Sequence, residues 1–259
     1  MSGEQSTGVR PRPYGRQARA RIALAQAARH LSESARAVVP TGSDTTADAG
    51  MLVEVAGRLA RHALEVLELA VVFERERHTS WEVIGSVLGI SRQGAHERFS
   101  GAVQRWREGL RAPWLPDSAG RLVAQLPEGA DAPDVWAKRL DQWMIEHGHP
   151  TDRATAERLV SDGLALAGER ELESMCLEEL TALAELMHAK VAQTHPETRR
   201  HLQQRKLELL ECLALVRPNA PAYAEAAAHA RRELKLMQRS RPRRVGAGSL
   251  AHPPAPPRS

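Results

Sequence analysis

Residues 79–99, "TSWEVIGSVLGISRQGAHERF", constrain the fold of this chain more than any other stretch. Thr79 followed by Glu82 has the T-x-x-E spacing of a capping box, in which each side chain satisfies an orphan amide of the other residue. Trp81, Ile84, Val87 and Leu88 then share one face of a short helix, and Gly85 leaves room for a crossing element. Gly89 can take the left-handed conformation that ends a helix. Ile90 can tuck into the corner, and Ser91 offers a second N-cap. From Arg92 the pattern is helical again, with Ala95, Phe99, Ala102, Val103 and Trp106 inward. A turn this short between two helices fits only a steep crossing.

The string "EVIGSVLGISRQGAHERF" resembles the bacterial helix-turn-helix pattern. It is especially similar to the DNA-binding segment of sigma-factor region four and to short actinobacterial regulator domains. The likeness covers residues 77–106, or 50–107 with the preceding long helix. It implies that the second helix enters the major groove with its N-terminal residues at base edges. Arg92, Gln93, His96, Glu97 and Ser100 face outward on the helical wheel. Gln pairs bidentately with adenine and Arg with guanine, each worth ~1–3 kcal/mol of discrimination. For Glu97 three roles stay open: accepting from cytosine, repelling phosphate, or pairing with a neighbouring arginine. Arg98, Arg105 and Arg107 suit phosphates, as do the Ser91 hydroxyl and the amides beside it. Gly94 departs from a good helix former. It costs roughly 1 kcal/mol against Ala if exposed, or it permits close approach to DNA or to the first helix.

The charge distribution fits an anionic partner. The net charge is +4, but residues 1–40 carry +5 and residues 228–259 carry +7, leaving the body 41–227 at −8. Basic ends attract nucleic acid or simply solubilise the chain. Only four of the 36 basic residues are Lys, an Arg bias that also follows from GC-rich coding. Aromatics are 3% of residues, which with abundant Ala, Leu, Glu and Arg predicts an all-α fold.

The expected organisation is a disordered basic arm at 1–15, then a domain at 16–112 holding an N-terminal helix and the helix-turn-helix. A small helical domain follows at 113–240, and a disordered Pro/Arg-rich tail at 241–259. Helices are expected at 17–39, with Ile22, Leu24, Ala28, Leu31, Ala35 and Val38 as an apolar stripe, and at 51–77. The stripe of the latter runs through Leu52, Val55, Leu59, Ala63, Val66, Leu67, Ala70 and Phe73. Further helices are expected at 134–148, 153–167, 169–194, 197–216 and 223–238, with breaks at "APWLPDSAG" and "PEGADAP".

Nothing in the sequence points to catalysis. There is no phosphate-binding glycine loop, nucleophile elbow or zinc spacing. His147, His149 and Asp152 read as a solvated helix end, and Cys176 and Cys212 as reduced thiols on helices. No enzyme activity, cofactor or metal is expected. No apolar run approaches a membrane span and no secretory signal is visible, so a cytoplasmic, nucleoid-associated protein is expected. The reading that follows is sequence-specific DNA binding by a bacterial transcriptional regulator on double-stranded DNA. A homodimer through 169–216 would supply half-site symmetry. The alternatives are a protein-interaction module docking this corner on RNA polymerase or another regulator, or a DNA-binding accessory of a mobile element.

Overall fold

Helices dominate the computed structural model, which describes residues 14–39, 48–147, 158–164, 166–189 and 195–239. In chain order they are α1 (Arg16–Arg36), α2 (Met51–Glu76), α3 (Trp81–Leu88), α4 (Arg92–Arg111), α5 (Glu128–Asp131) and α6 (Pro133–His147). The series ends with α7 (Glu169–His188), α8 (Pro196–Val216) and α9 (Pro221–Arg239). The fold is mostly α, as the composition predicts. Where the sequence suggests only a break, strands β1 (Trp114–Pro116) and β2 (Leu122–Ala124) form an antiparallel hairpin with Leu115 opposite Val123. The helix expected at 153–167 is not found where the residues are described: 158–163 is turn and Leu166 pairs with Tyr14 in an isolated bridge, the Asp141 carboxylate taking the Val160 and Ser161 amides that a helix would use, while 153–157 and 165 lie outside the described residues.

Helix α1 is buried on two sides. Ala20, Ala23 and Ala27 join Leu69, Val72, Ile84, Phe99, Val103 and Trp106 in the main core. Ala18 and Ile22 pack instead with Trp136, Ala137 and Leu140 of α6. Alanine makes this possible, because a helix faced with small side chains lets neighbours approach on both sides. The expected α1 stripe is therefore wrong in part: Ala28, Ala35 and Val38 are exposed, since the packed face belongs to the first three turns. Along α2 the buried residues are Val55, Leu69, Val71 and Val72, while Leu52 and Ala63 of the expected stripe are exposed. The N-terminal half of α2 runs beside the exposed end of α1, where Ser34 Oγ meets His62 Nδ1 at 3.0 Å, so its apolar face is only partly covered.

Two capping motifs shape the corner. Thr79 does not cap α3. Its amide donates to the Glu74 carbonyl at 3.0 Å and the His78 amide to that of Arg75 at 3.1 Å, with His78 at φ 65°. This is the Schellman termination of α2, so Thr79 belongs to the helix before. Its hydroxyl donates to Glu74 Oε2 at 2.6 Å. The N-cap is Ser80, whose Oγ accepts from the Val83 amide at 3.3 Å. The same device ends α3: the Ile90 amide donates to the Gly85 carbonyl at 2.9 Å, around Gly89 at φ 67°. The chain then folds back so tightly that a Cβ on Gly85 would lie 2.8 Å from the Ile90 carbonyl oxygen. Gly85 thus admits the turn itself. Ile84 is buried as expected, but Val87 points to solvent, because α3 has only two turns and packs along one narrow edge.

Ser91 caps α4, its Oγ accepting from the Gly94 amide at 3.0 Å. A Cβ on Gly94 would come within 3.3 Å of that oxygen, so glycine keeps space for the cap. Ser91→Ala should cost about 1 kcal/mol of stability. Urea unfolding followed by circular dichroism measures it, and an unchanged midpoint would show the cap to be dispensable.

The C-terminal helices pack on one another. Cys176 meets Leu209 and Leu213, Leu183 meets Leu202, and Leu207 and Leu210 meet Ala227, Ala230 and Leu234 of α9. Buried polar groups pin the elements together. Gln26 Oε1 accepts from the Gly129 amide at 2.6 Å, and Gln203 donates to Glu233 at 2.8 Å. Thr198 donates its hydroxyl to the Gly120 carbonyl, tying the hairpin to α8.

Candidate nucleic-acid interface

The inward residues of α4 are Ala95, Phe99, Val103 and Trp106, all buried, with Ala102 half-buried. Because these fix the helix against α1, α2 and α3, the opposite face is set. Ser91, Arg92, Gln93, His96, Glu97 and Arg98 are exposed there, and Ser100 is half-buried. The amides of Arg92 and Gln93 open the helix and have no intrahelical acceptor. No acidic residue lies in the first turn, so the positive end of the helix dipole is uncompensated there.

Contacts among these side chains discriminate their roles. Gln93 Nε2 donates to Glu97 Oε1 at 2.7 Å, so Glu97 engages a glutamine one turn away. The second hydrogen of the Gln93 amide and its Oε1 are not used by this bond. His96 is held edge-on to Trp81, with ring centroids 5.4 Å apart at 82°. Trp81 in turn lies under the Arg75 guanidinium, 4.8 Å from the ring centroid. Such cation–π contacts contribute ~0.5–1 kcal/mol at exposed sites. Trp81 is therefore a positioning residue as well as a core contact. Its apolar spacing suggests only the second role, and nothing local signals that Arg75 would reach it.

The expected phosphate contacts separate. Arg98 stands exposed beside the Phe99 ring. Arg105 lies 3.6 Å from Glu68, and Arg107 3.9 Å from Glu76. Burial raises the Glu76 carboxyl above its ordinary range, and Arg107 opposes that. Both pairs are largely solvent-exposed on the arginine side and hold it only weakly. On α3, Val83 and Val87 are 52% and 80% exposed, beside Glu82.

Other features expected from the sequence resolve differently, or not at all. The 1–13 and 240–259 segments lie outside the described residues, as do His149 and Asp152. His147 stacks on Trp143 at 5.1 Å. Cys176 and Cys212, separate thiols in the sequence, come together between α7 and α8. A hydrogen bond between them pulls Cys212 below its ordinary value and pushes Cys176 up. The apolar stripes of 169–216 turn toward each other within the chain, leaving Leu177 and Leu215 exposed. No described helix is long and apolar enough to cross a membrane.

Compared with protein-family models, with curated proteins and with solved structures, the chain shows no significant match to any of them.

Proposed function

We propose that the chain is a sequence-specific DNA-binding protein of the helix-turn-helix kind, acting as a bacterial transcriptional regulator. One observation carries this reading. The capped N-terminal turn of α4 presents Ser91, Arg92, Gln93 and His96 on an exposed face without a carboxylate in its first turn. A helix seated in the major groove uses those positions. Arg92 and Gln93 read base edges, His96 is oriented by Trp81, and Ser91, Arg98, Ser100 and Arg105 serve phosphates. Glu97 orients Gln93, whose second amide hydrogen and Oε1 meet the base. The basic termini add attraction that falls with salt.

A second reading rests on Val83 and Val87, whose exposure on α3 suits a protein partner docking on this corner. Selection from a random double-stranded DNA pool, run for wild type and Gln93→Ala at moderate salt, separates the two. DNA reading predicts one enriched motif for wild type. The variant loses ~1–3 kcal/mol at one base position and relaxes it. A palindromic motif would support a homodimer. No enrichment, or equal low-salt binding by both proteins, would favour docking.

A further inference from the structure

A cavity of about 720 Å3 opens between the β1–β2 hairpin, the C-terminal end of α4, and helices α7 and α8. Its size is that of small-molecule sites, which run from roughly 300 to 1,000 Å3. Leu183 and Leu202, with Leu122 and Leu186 packed against them, form its apolar lining together with Trp114. Around Arg19 in its lining stand the charges of Arg205, Glu179 and Asp131.

These four charges are not equally satisfied. Arg205 gives Glu179 two hydrogen bonds, at 2.6 and 2.9 Å, and reaches Glu208 at 3.2 Å. Arg19, projecting from α1, has a buried Nε with no hydrogen-bond partner among the described residues. Desolvation draws its guanidinium below the ordinary value. Glu179 and Asp131 oppose this through their charge, while Arg205 adds to it. Buried cations are normally paired and hydrogen-bonded. The buried Nε is out of a ligand's reach, so an acceptor entering the cavity that Arg19 lines would meet the terminal nitrogens of its guanidinium.

We propose that this cavity binds a small organic acid, with one carboxylate on the Arg19 guanidinium and an apolar body along the apolar lining. The planar fork of arginine matches a carboxylate bidentately. A single negative charge fits better than the double charge of a phosphate monoester, because the charges of Glu179 and Asp131 stand around Arg19. Burial raises the Asp131 carboxyl above its ordinary value, and the charges of Arg205 and Arg19 oppose that. The site is independent of what α4 recognises.

Calorimetric titration of the full chain with octanoate, its neutral isostere octanamide and octyl phosphate tests the assignment. Octanoate should bind at least ~10-fold more tightly than octanamide and more tightly than octyl phosphate. Arg19→Gln should bring octanoate down to the level of octanamide and leave octanamide unchanged. Equal affinity for the acid and the amide, undiminished octanoate binding by the variant, or no binding at millimolar octanoate would overturn the proposal. Tighter binding of octyl phosphate would overturn the choice of a monoanion. If Arg19→Gln fails to fold, the wild-type comparison of octanoate with octanamide decides.

Discussion

Truncating Phe99 to alanine should remove about 3–5 kcal/mol of stability, the range for deleting a fully buried aromatic ring. Phe99 is 2% exposed and among the largest side chains in the interior. It sits where α4 meets the core formed with Leu69, Val72, Ile84 and Trp106. Removing the ring leaves a void with rigid walls, because the flanking turns are held by their own caps and cannot collapse freely. A loss of this size is a large share of the ~5–15 kcal/mol by which domains are stable. Urea unfolding of wild type and variant measures it. A loss below about 1 kcal/mol would show that α4 is not anchored through this ring. The variant should also lose any DNA preference, since the angle between α3 and α4 rests on the same contact.

The second large effect is expected far from that corner. Glu179 on α7 is 6% exposed and accepts both hydrogen bonds of its pair with Arg205 on α8. Burial works to lower the Arg205 guanidinium, but the hydrogen bonds and charge of Glu179, with help from Glu208, hold it above its ordinary value. Glu179→Ala should cost roughly 3 kcal/mol, the low end for breaking a buried pair. The low end applies because the Arg205 side chain is 34% exposed and keeps part of its hydration. Removing both partners, as Glu179→Leu with Arg205→Met, should cost less than the single change, since the Arg205 cation is not then left without Glu179 and only Arg19 keeps its charge there. The unfolding midpoints of the single and double variants decide the matter. A double variant less stable than the single one would mean that the pair contributes net stability beyond satisfying its own burial.

The corner is legible in the sequence because its signals are local. Gly89, the Ser91 cap and the inward series Ala95, Phe99, Val103, Trp106 depend on backbone conformation and helical period alone. The error at Thr79 shows the limit of such signals. A hydroxyl between two helices can serve either, and the choice falls to the left-handed His78, a conformation that the residue type does not announce. The stripe of α1 is misjudged for a different reason. Alanine is compatible with a buried or an exposed face, and only the arrival of α2, α5 and α6 determines which alanines are covered.

By itself, then, the sequence determined the helical class, the Gly89 turn and the Ser91 cap, and the outward Arg92, Gln93 and His96 of α4. Each follows from interactions spanning no more than about one helical turn. Only the tertiary structure decided that Trp81 orients His96 and that the Arg19 Nε is left without an acceptor among the described residues, beside a cavity. It also decided that Cys176 meets Cys212 and that Arg205 satisfies Glu179. Arg19 lies 160 residues from Glu179 in the chain. No periodicity connects residues so far apart; their meeting is set by which helix faces are buried against one another and by the free energy of leaving charge without a partner.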